Sequence, residues 1–555
     1  MKKENIFNTV NIDKRFSYRE TSLYKRRRLQ LDQHDAPLLR ERLFQLMTDY
    51  QYSIFSINLG ELENKNIMLL CLKADGFGDI AHTFYFADML QKKFNNNTVQ
   101  IFIECTDSDV EKIKQIFPVD NFKNIQFFSL YTNFYEKEEI FSEIKNKKGC
   151  FLGIAVPLES VEICKSPVYR MLREYGYGHM SQVCEPNAMC NNLSMGFSLI
   201  EEGLHFPSTD NLRLCDIENQ QLKNLLGIYL PSDEDRYHQT HKLYYMYIQT
   251  HLWEMQMIAL YSSAIIEKGN PQSVIDVFLL LDLNYSLKDF MQWGVLAVDF
   301  LKENNIGEIV RVTSTGTESI TLGAGKTIRI INLFGHLYTK DIWLLEQNSE
   351  PFFGCSGDLS LSAAISRNKL PVYANPGLKD TMMNDWIEIV KNQEKYTELV
   401  KFLELLKKWN VECEAIYRKH TPKKVSFYQP PASMDLSDPY SVPRKSLPEL
   451  APKILNYAKE LASLYLQTSL LEQAKSFNAY AVENLNVASR LIHIVYRGLI
   501  LSNYPDLIAV EKKLHDKFLA NEMNEEEVVE RLSQAIQNVC VEKMDVEHYS
   551  RTITP

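Results

Sequence analysis

Short apolar runs alternate with helical patterns along two stretches of this chain, and this alternation constrains the fold more than any other feature. Parallel strands need long connections, usually helices, and a strand buried on both faces has a continuous apolar sequence. The sequence therefore predicts an α/β fold with two domains, each built on a parallel sheet. The predicted strands are 67–73, 99–105, 125–129 and 150–156 in the first domain, and 274–281, 307–313, 327–333, 351–355 and 370–374 in the second.

The rest of the chain divides around these domains. Glycine- and aromatic-rich pieces predict long loops within 160–222, and helical patterns occupy 235–268 and 286–304. A proline-rich stretch then predicts an extended linker, followed by helices with few glycines. The predicted organisation is a helical segment at 1–60, Rossmann-like domains at 61–232 and 233–420, a linker at 421–452 and a helical region at 453–555.

Composition and charge exclude several classes of protein. The formal net charge is -10, which disfavours nucleic acid as a partner. No apolar run is long enough to span a bilayer, and no apolar signal segment follows the N-terminus. The ten cysteines form no CxxC pair, which is typical of proteins in a reducing compartment. We therefore predict a cytoplasmic protein without a transmembrane segment.

The segment Ser356–Ile365 predicts a tight polar turn between a strand and a short helix. Gly357 is expected to let the backbone turn sharply, while Asp358 and Ser360 offer caps to the first helical turn. A helix N-terminus at the carboxyl end of a parallel strand suits an anion such as phosphate. An ordinary capped helix explains the same residues, so both interpretations stay open.

A second turn follows the first strand, at Asp75–Asp79. Gly76 and Gly78 allow close approach of a substrate, but the spacing of a dinucleotide-binding loop is not met. Asp75 and Asp79 place carboxylates where a general base is useful. The alternative for Asp79 is an N-cap on a helix that begins at residue 80. His82 is interpreted as a helix-surface histidine, with catalysis as its alternative.

These two turns together resemble the hallmark loops of GT-B glycosyltransferases and, within that fold, those of the protein-arginine rhamnosyltransferase family. The resemblance implies two Rossmann-like domains facing a cleft, with the acceptor on the 61–232 side and a nucleotide-sugar donor on the 233–420 side. It also implies that the nucleotide-sugar serves as donor substrate and that no other cofactor is needed.

The resemblance further assigns roles to residues. Asp79 or Asp75 would be the catalytic base or would orient the acceptor, with Gly76 and Gly78 in the same loop. The donor site would include Gly357, Asp358, Leu359, Ser360 and Ser362, with the two serine hydroxyls near the diphosphate. Gly76 and Gly78 of the acidic turn would also contribute to donor binding. Leu359 stands where the family has a second acidic residue, which leaves the sugar open.

A helix N-terminus can stabilise a leaving diphosphate without a metal. A nearby cation would help, but spacing singles out none of the four candidates, Arg311, Arg329, Lys369 and Lys379. The hydroxyls of Thr313–Thr317 are a further group that could reach a donor. We therefore expect a metal-independent sugar transfer.

Three motifs are interpreted as structural. Gly323–Thr327 ends like a phosphate-binding P-loop, but a strand-like run follows where a P-loop requires a helix. Asp107-Ser108-Asp109 has the spacing of a metal-binding DxD motif, yet it opens a helical pattern and is explained by capping. Tyr244–Tyr247 is predicted as a packed helix face, with a stacking platform for a sugar or base as the alternative.

The C-terminal region adds an interpretation of its own. The acidic block Glu525–Glu527 and the polar end Ser550–Pro555 resemble translocation signals of bacterial type IV secretion effectors. That resemblance implies translocation into a host cell by a secretion system, without a cleavable N-terminal signal, and a host molecule, such as a protein, as acceptor. The C-terminal helices are expected to serve recognition of a partner or a substrate protein. An acidic helix and a frayed tail are the alternative. A non-enzymatic helical adaptor on a degenerate GT-B scaffold is the competing function, and a nucleotide-sugar epimerase is a third.

Overall fold

The fold is taken from a computed structural model. The chain divides into two compact units. The first contains Met1–Lys114, Pro118–His205 and Asn484–Pro555, and the second contains Gln115–Phe117 and Phe206–Glu483. The structure describes single residues as far as 531 and the ranges 66–72, 78–117, 124–129, 149–154, 169–173, 192–194, 204–207, 213–249, 252–333, 337–374, 380–420 and 441–486.

The first unit is built on a six-stranded sheet in the order β3-β2-β1-β4-β5-β6. All neighbouring strands are parallel, and this is the strand order of the dinucleotide-binding doubly wound fold. The chain runs outward from β1 to β3 and then returns to place β4 on the other side of β1. The strands are β1 (Asn66–Leu72), β2 (Thr98–Cys105), β3 (Ile125–Ser129), β4 (Gly149–Ile154), β5 (Tyr169–Arg173) and β6 (Asn192–Ser194), with helices α1 (Gly78–Lys93) and α2 (Asp107–Ile116) between them.

The second unit is built on a seven-stranded sheet in the order β10-β9-β11-β8-β7-β12-β13. Only the edge strand β10 is antiparallel, in a hairpin with β9. The chain builds one half of the sheet first, and β12 then joins the free side of β7. The strands are β7 (His241–Tyr247), β8 (Val274–Leu279), β9 (Ile306–Thr313), β10 (Gly316–Thr321), β11 (Lys326–Asn332), β12 (Phe352–Cys355) and β13 (Leu370–Tyr373).

Eleven helices accompany the second sheet in the described part of the chain. The long helix α12 packs against α5 and α11, and Ser262 Oγ on α5 donates to the Ala458 carbonyl on α12 at 3.2 Å. The helices are α3 (Gln220–Leu226), α4 (Pro231–Thr240), α5 (Trp253–Ile266), α6 (Leu287–Gln292), α7 (Val298–Glu303), α8 (Thr339–Asn348), α9 (Asp358–Ser366), α10 (Asp380–Lys391), α11 (Thr397–His420), α12 (Ser441–Tyr465) and α13 (Thr468–Asn484).

Both sheets have apolar cores because their inner strands are covered on two faces. Ile67, Leu69, Ile101 and Ile103 are fully buried in the first sheet. In the second, every residue of β12 and β13 is buried. Each fully buried aliphatic side chain stabilises the fold by roughly 1.5–3 kcal/mol relative to an exposed one. The predicted α/β class with paired parallel sheets and a helical region at 453–484 is confirmed.

The predicted strands all appear within one or two residues of their predicted ends, but the helix predicted at 235–268 is wrong in its middle. Residues 241–247 form β7, at the centre of the second sheet. Tyr244 and Tyr245 are therefore buried strand residues rather than a helix face. A short apolar run has the same periodicity in a buried strand and a buried helix, so pattern alone could not separate them.

Other boundaries also differ from the sequence predictions. The helix predicted at 286–304 is two short helices, α6 and α7, with Gly294 between them at φ +73°. The region predicted as loops, 160–222, contributes β5 and β6 to the sheet. The end of the predicted linker is helical, because α12 begins at Ser441 and contains Pro448 and Pro452. Burial of neighbouring leucines on α12 offsets the hydrogen bonds that these prolines remove.

The predicted helical segment at 1–60 and the linker residues 421–440 lie outside the described residues, and the domain boundaries stay predictions. Among the helices that the structure describes, none is both long and apolar enough to cross a bilayer.

Candidate functional site

The second sheet has its topological switch point between β7 and β12. β8 lies on one side of β7, and β12 lies on the other. Tyr247 ends β7 and Cys355 ends β12, and these two residues are paired in register. In open α/β sheets, ligands bind beyond the carboxyl ends of the strands at such a point. The Ser356–Ile365 segment singled out in the sequence leaves the sheet here.

Helix α9 starts at this edge of the sheet. Asp358 is its first residue and Gly357 is its N-cap. Ser360 closes the cap, because its Oγ accepts from the Gly357 N–H at 3.1 Å and donates to the Gly357 carbonyl at 2.8 Å. The first backbone N–H groups of a helix have no partner within the helix and carry its positive dipole end. The predicted helix start is thus confirmed, with Ser360 as its capping side chain.

Gly357 has a different role from the one expected. Its φ is -120° and its ψ is 161°, an extended conformation that any residue adopts, so no sharp turn depends on it. A Cβ at this position would meet only the Ser360 Oγ, at 3.7 Å. A side chain would therefore fit at this position, and the observed role of Gly357 is that of the N-cap residue of α9.

The other predicted donor residues lie along α9. Leu359 is partly exposed in the first turn, whereas Ser362 is fully buried. The backbone at this helix start is therefore better placed to meet a ligand than the two serine hydroxyls, of which one is in the cap and the other is in the core. The side chain of Asp358 lies outside the described part of the structure.

Three buried groups, Tyr247 on β7, Cys355 on β12 and Glu254 on α5, are mostly uncharged at neutral pH. Burial raises the pKa of the Tyr247 hydroxyl and of the Cys355 thiol, which keeps both protonated. Burial also raises the pKa of Glu254, in the first turn of α5, to about 8. A phosphate group approaching the helix start would not be repelled by any of these three side chains at neutral pH.

The first sheet has its switch point between β1 and β4. The turn predicted as the acidic loop leaves this point, because β1 ends at Leu72 and α1 begins at Gly78. Asp79 is the second residue of α1, so the helix begins earlier than the predicted start at residue 80. Asp75 and Gly76 lie outside the described residues, as does the side chain of Asp79.

His82 is not the surface histidine that the sequence predicted. It is buried, with its ring 6.0 Å from Phe86 and 6.1 Å from His205 between centroids. Burial, together with a smaller effect of the neighbouring His82, lowers the pKa of His205 to about 3. The pair belongs to the core of the first unit rather than to its surface.

The candidate cations hold the second unit together. Arg329 makes a bidentate ion pair with the buried Asp276, at 2.5 and 2.7 Å. Lys369 donates to the carbonyls of Gln347 and Ser349 at the amino end of β13, the opposite edge of the sheet from α9.

Arg311 and Lys379 complete the set. Arg311 is buried and donates to the carbonyls of Tyr285 and Asp282 in the loop that follows β8. The position of Lys379 lies outside the described residues. Each of the three described cations thus has its own structural partners.

Two of the three motifs interpreted as structural, Gly323–Thr327 and Asp107–Asp109, have the structural roles expected of them, whereas Tyr244–Tyr247 lies in strand β7 rather than in a helix. Lys326 is buried and its Nζ donates to the carbonyls of Glu267 and Asn270, both at 2.6 Å. Strand β11 follows this turn, so no P-loop forms. Asp109 accepts from the Thr106 Oγ1 at 2.6 Å, and this contact caps α2. Among the described residues, no cluster of three metal-ligating side chains occurs.

The hydroxyls of Thr313–Thr317 lie in the β9–β10 hairpin. Thr313 Oγ1 donates to the Gly316 carbonyl at 3.1 Å and lies 3.1 Å from Thr315 Oγ1. These contacts tighten the turn at the edge of the sheet. The sheet order places this edge several strands away from β12.

Two buried side chains at the switch point were missed in the sequence. Ser356 bonds to the loop after β7, and Gln256 on α5 bonds to the loops after β7 and β8. Gln256 can be identified as a candidate from the sequence, because it is a polar residue within the apolar helix sequence Trp253–Ile266. Ser356 carried no local signal, because its partners are more than a hundred residues away in sequence.

No protein-family model and no curated protein matches this chain. Solved glycosyltransferase structures are similar to part of it. A family 9 glycosyltransferase from Veillonella parvula is 11% identical, over 57% of this chain and 83% of that one, with a TM-score of 0.30. The E. coli heptosyltransferase WaaC with ADP is 9% identical, over 56% of this chain and 89% of that one, with a TM-score of 0.26. The same enzyme with ADP-2-deoxy-2-fluoro heptose is also 9% identical in sequence. The match covers 55% of this chain and 88% of that one, with a TM-score of 0.25. The likeness concerns the α/β fold alone.

Proposed function

We propose that this chain is a glycosyltransferase that moves a sugar from a nucleotide-sugar donor to an acceptor. One observation supports this most strongly. Each of the two parallel sheets has one loop that the sequence singled out by its chemistry, and each of these loops leaves its sheet at the switch point. Ligands of open α/β sheets bind at that place, which supports a binding role for the acidic turn and for the helix start.

The residues divide the chemistry between them in this proposal. A carboxylate of the acidic turn, Asp79 or Asp75, takes the proton from the acceptor nucleophile. The nucleophile forms a bond to the anomeric carbon, while the bond from that carbon to the diphosphate oxygen breaks. The diphosphate leaves with the electron pair, and its charge is stabilised by the N–H groups at the start of α9. Arg311, Arg329 and Lys369 have partners elsewhere in the fold, so the proposal assigns this stabilisation to the helix start.

We further propose that transfer needs no metal ion and no cofactor beyond the donor. The helix dipole and backbone N–H groups can supply the stabilisation that a metal supplies in other transferases. Turnover that survives treatment with EDTA supports this part of the proposal. Turnover that is lost with EDTA and restored by Mg²⁺ or Mn²⁺ contradicts it.

A protein acceptor is proposed on the sequence resemblance alone. The rhamnosyltransferase family modifies arginine side chains, and the resemblance of the C-terminus to secretion signals suggests a host protein. Incubation of the chain with a labelled donor and a host-cell lysate tests this directly. Label in protein supports a protein acceptor, whereas label confined to small molecules or lipid contradicts it.

The central experiment combines donor binding with turnover. Thermal-shift screening against UDP-, GDP-, dTDP- and ADP-sugars finds the donor, and release of the nucleoside diphosphate measures turnover. Asp79→Asn is expected to lower turnover by a factor of about 10²–10⁴, the usual contribution of a general base. Asp358→Asn is expected to lower donor turnover while the chain stays folded, because the sequence resemblance assigns Asp358 to the donor site.

Two control variants match these changes in charge and position. Asp88→Asn removes an exposed carboxylate from α1, and Asp299→Asn removes one from the first turn of α7. Both should leave turnover within twofold of the unchanged chain. Absence of any donor turnover favours the adaptor instead, and isomerised donor without an acceptor product favours an epimerase.

A further inference from the structure

The two strands at the second switch point approach each other unusually closely. Gly354 of β12 pairs with Met246 of β7. A Cβ on Gly354 would lie 2.9 Å from the Met246 Cα and 2.8 Å from its Sδ. Only a glycine fits between these backbones without a shift. The close approach brings the residues that follow β12 within side-chain reach of the loop that follows β7.

Ser356 uses this proximity to connect the two loops. It is 3% exposed, and its Oγ accepts from the Gln249 N–H at 3.0 Å and donates to the Tyr247 carbonyl at 3.4 Å. The strand pairing ends at Cys355 and Tyr247. One hydroxyl therefore continues the connection between the strands past the end of their backbone ladder.

Gln256 fixes the same loop from the other side. It is fully buried on α5, and its Nε2 donates to the Ile248 carbonyl at 2.8 Å and the Leu280 carbonyl at 2.9 Å. Leu280 follows β8, so three adjacent strands have their carboxyl ends tied together. Ile248 and Gln249, which follow β7, are thus bonded to α5 and to the residue after β12.

We propose that Ser356 is a positioning residue that holds the start of α9 in register with the loop after β7, so that the donor diphosphate is bound by both. Ser356 immediately precedes Gly357, and a shift of its backbone moves the helix N-terminus directly. This inference rests on the proposed function, because it assigns Ser356 to the donor site of that enzyme. Ser356 itself need not touch the donor.

Ser356→Ala tests the inference, and Ser349→Ala is its matched control. Ser349 is also buried and next to β12, but it precedes the strand, and its Oγ donates to the Glu346 carbonyl at 3.0 Å. Calorimetric titration with ADP, UDP, GDP and dTDP gives the Kd of each full-length variant. We expect Ser356→Ala to raise the Kd of the preferred nucleotide at least tenfold and Ser349→Ala to change it less than twofold. Their melting temperatures should fall by similar amounts.

A conservative variant separates positioning from simple destabilisation. Ser356→Thr keeps the hydroxyl and should recover nucleotide affinity to within about threefold of the unchanged chain. Equal Kd values for Ser356→Ala and Ser349→Ala overturn the inference and leave the proposed function intact. A chain that binds none of the four nucleotides overturns both.

Discussion

Glu254 is a carboxyl group that the fold keeps protonated. Its side chain is 2% exposed, and burial raises its pKa to about 8, although its own backbone N–H and Cys413 act in the opposite direction. A carboxyl whose pKa is higher in the folded state binds more protons there than in the unfolded state. Its favourable contribution is complete below a pH of about 4.5, the ordinary pKa, and is lost as the pH rises through 8.

Glu254→Gln is therefore expected to change the pH dependence of stability. The amide cannot ionise, so the melting temperature of the variant relative to the unchanged chain should rise as the pH increases from 5 to 9. The free-energy difference across this range is at most about 5 kcal/mol, since each pKa unit corresponds to roughly 1.4 kcal/mol. Thermal unfolding in a series of buffers measures it.

The control for this change is Glu303→Gln, at an exposed position in α7. Its melting temperature should follow that of the unchanged chain throughout the series. A Glu254→Gln variant with the same pH dependence as the unchanged chain contradicts the assignment of a neutral buried carboxyl.

At the level of the element, α12 has a structural role that the sequence did not indicate. The C-terminal helices were interpreted as a recognition surface, but Leu450, Ala458 and Leu461 of α12 are buried against the second unit. The apolar face of this helix is thus part of the core. A partner can meet only its other face.

Leu461→Ala should destabilise the second unit by about 2–5 kcal/mol, the usual cost of truncating a buried leucine. Leu466→Ala is the control, because Leu466 directly follows α12 and is 60% exposed. The control should cost less than about 0.5 kcal/mol. Urea unfolding followed by circular dichroism measures both, and equal midpoints would show that α12 is not part of the core.

Strand β7 is an element whose type could not be predicted from its own sequence. Its residues are apolar and aromatic, and the flanking helices α4 and α5 extend the helical pattern to both sides. Nothing local marks the change from helix to strand at His241. The strand is decided by its neighbours β8 and β12, which complete its backbone hydrogen bonds on both sides.

At the scale of the whole molecule, the two units have buried groups that respond to pH in opposite directions. His205 lies in the first unit with its pKa lowered to about 3, and Glu254 lies in the second with its pKa raised to about 8. A buried neutral histidine loses stability as the pH falls below its ordinary value of about 6.5. Lowering the pH therefore destabilises the folded first unit through His205. Over part of the same pH range it stabilises the folded second unit through Glu254.

His205→Gln should show the opposite trend to Glu254→Gln. Its melting temperature relative to the unchanged chain should rise as the pH is lowered from 7 to 4, because the amide has no proton to take up. His238→Gln, at an exposed position in α4, is the control and should show no such trend. Differential scanning calorimetry of the three proteins at four pH values provides the comparison. If the relative melting temperatures of Glu254→Gln and His205→Gln change with pH in the same direction, the prediction that the two buried groups respond oppositely is wrong.

Strands and helix starts could be predicted from the sequence alone, because they depend on residues that are close together in the chain. Continuous apolar runs identified the predicted parallel strands, because burial on both faces leaves no room for polar side chains. Turn and capping residues identified the start of α9 and the helix that follows Asp107, because capping acts over three or four residues. The two loops of the proposed site were found in this way, although Asp75 and the side chain of Asp79 lie outside the described residues.

The order of the strands in each sheet could not be predicted from local sequence and is known from the tertiary structure. The switch points arise because β4 joins β1 and β12 joins β7, and these choices depend on packing between distant segments. The same packing gave Arg311, Arg329 and Lys369 their partners and left Glu254 without a charge. It also placed Ser356 against Tyr247 and Gln249, since hydrogen bonds between remote loops leave no local pattern in the chain.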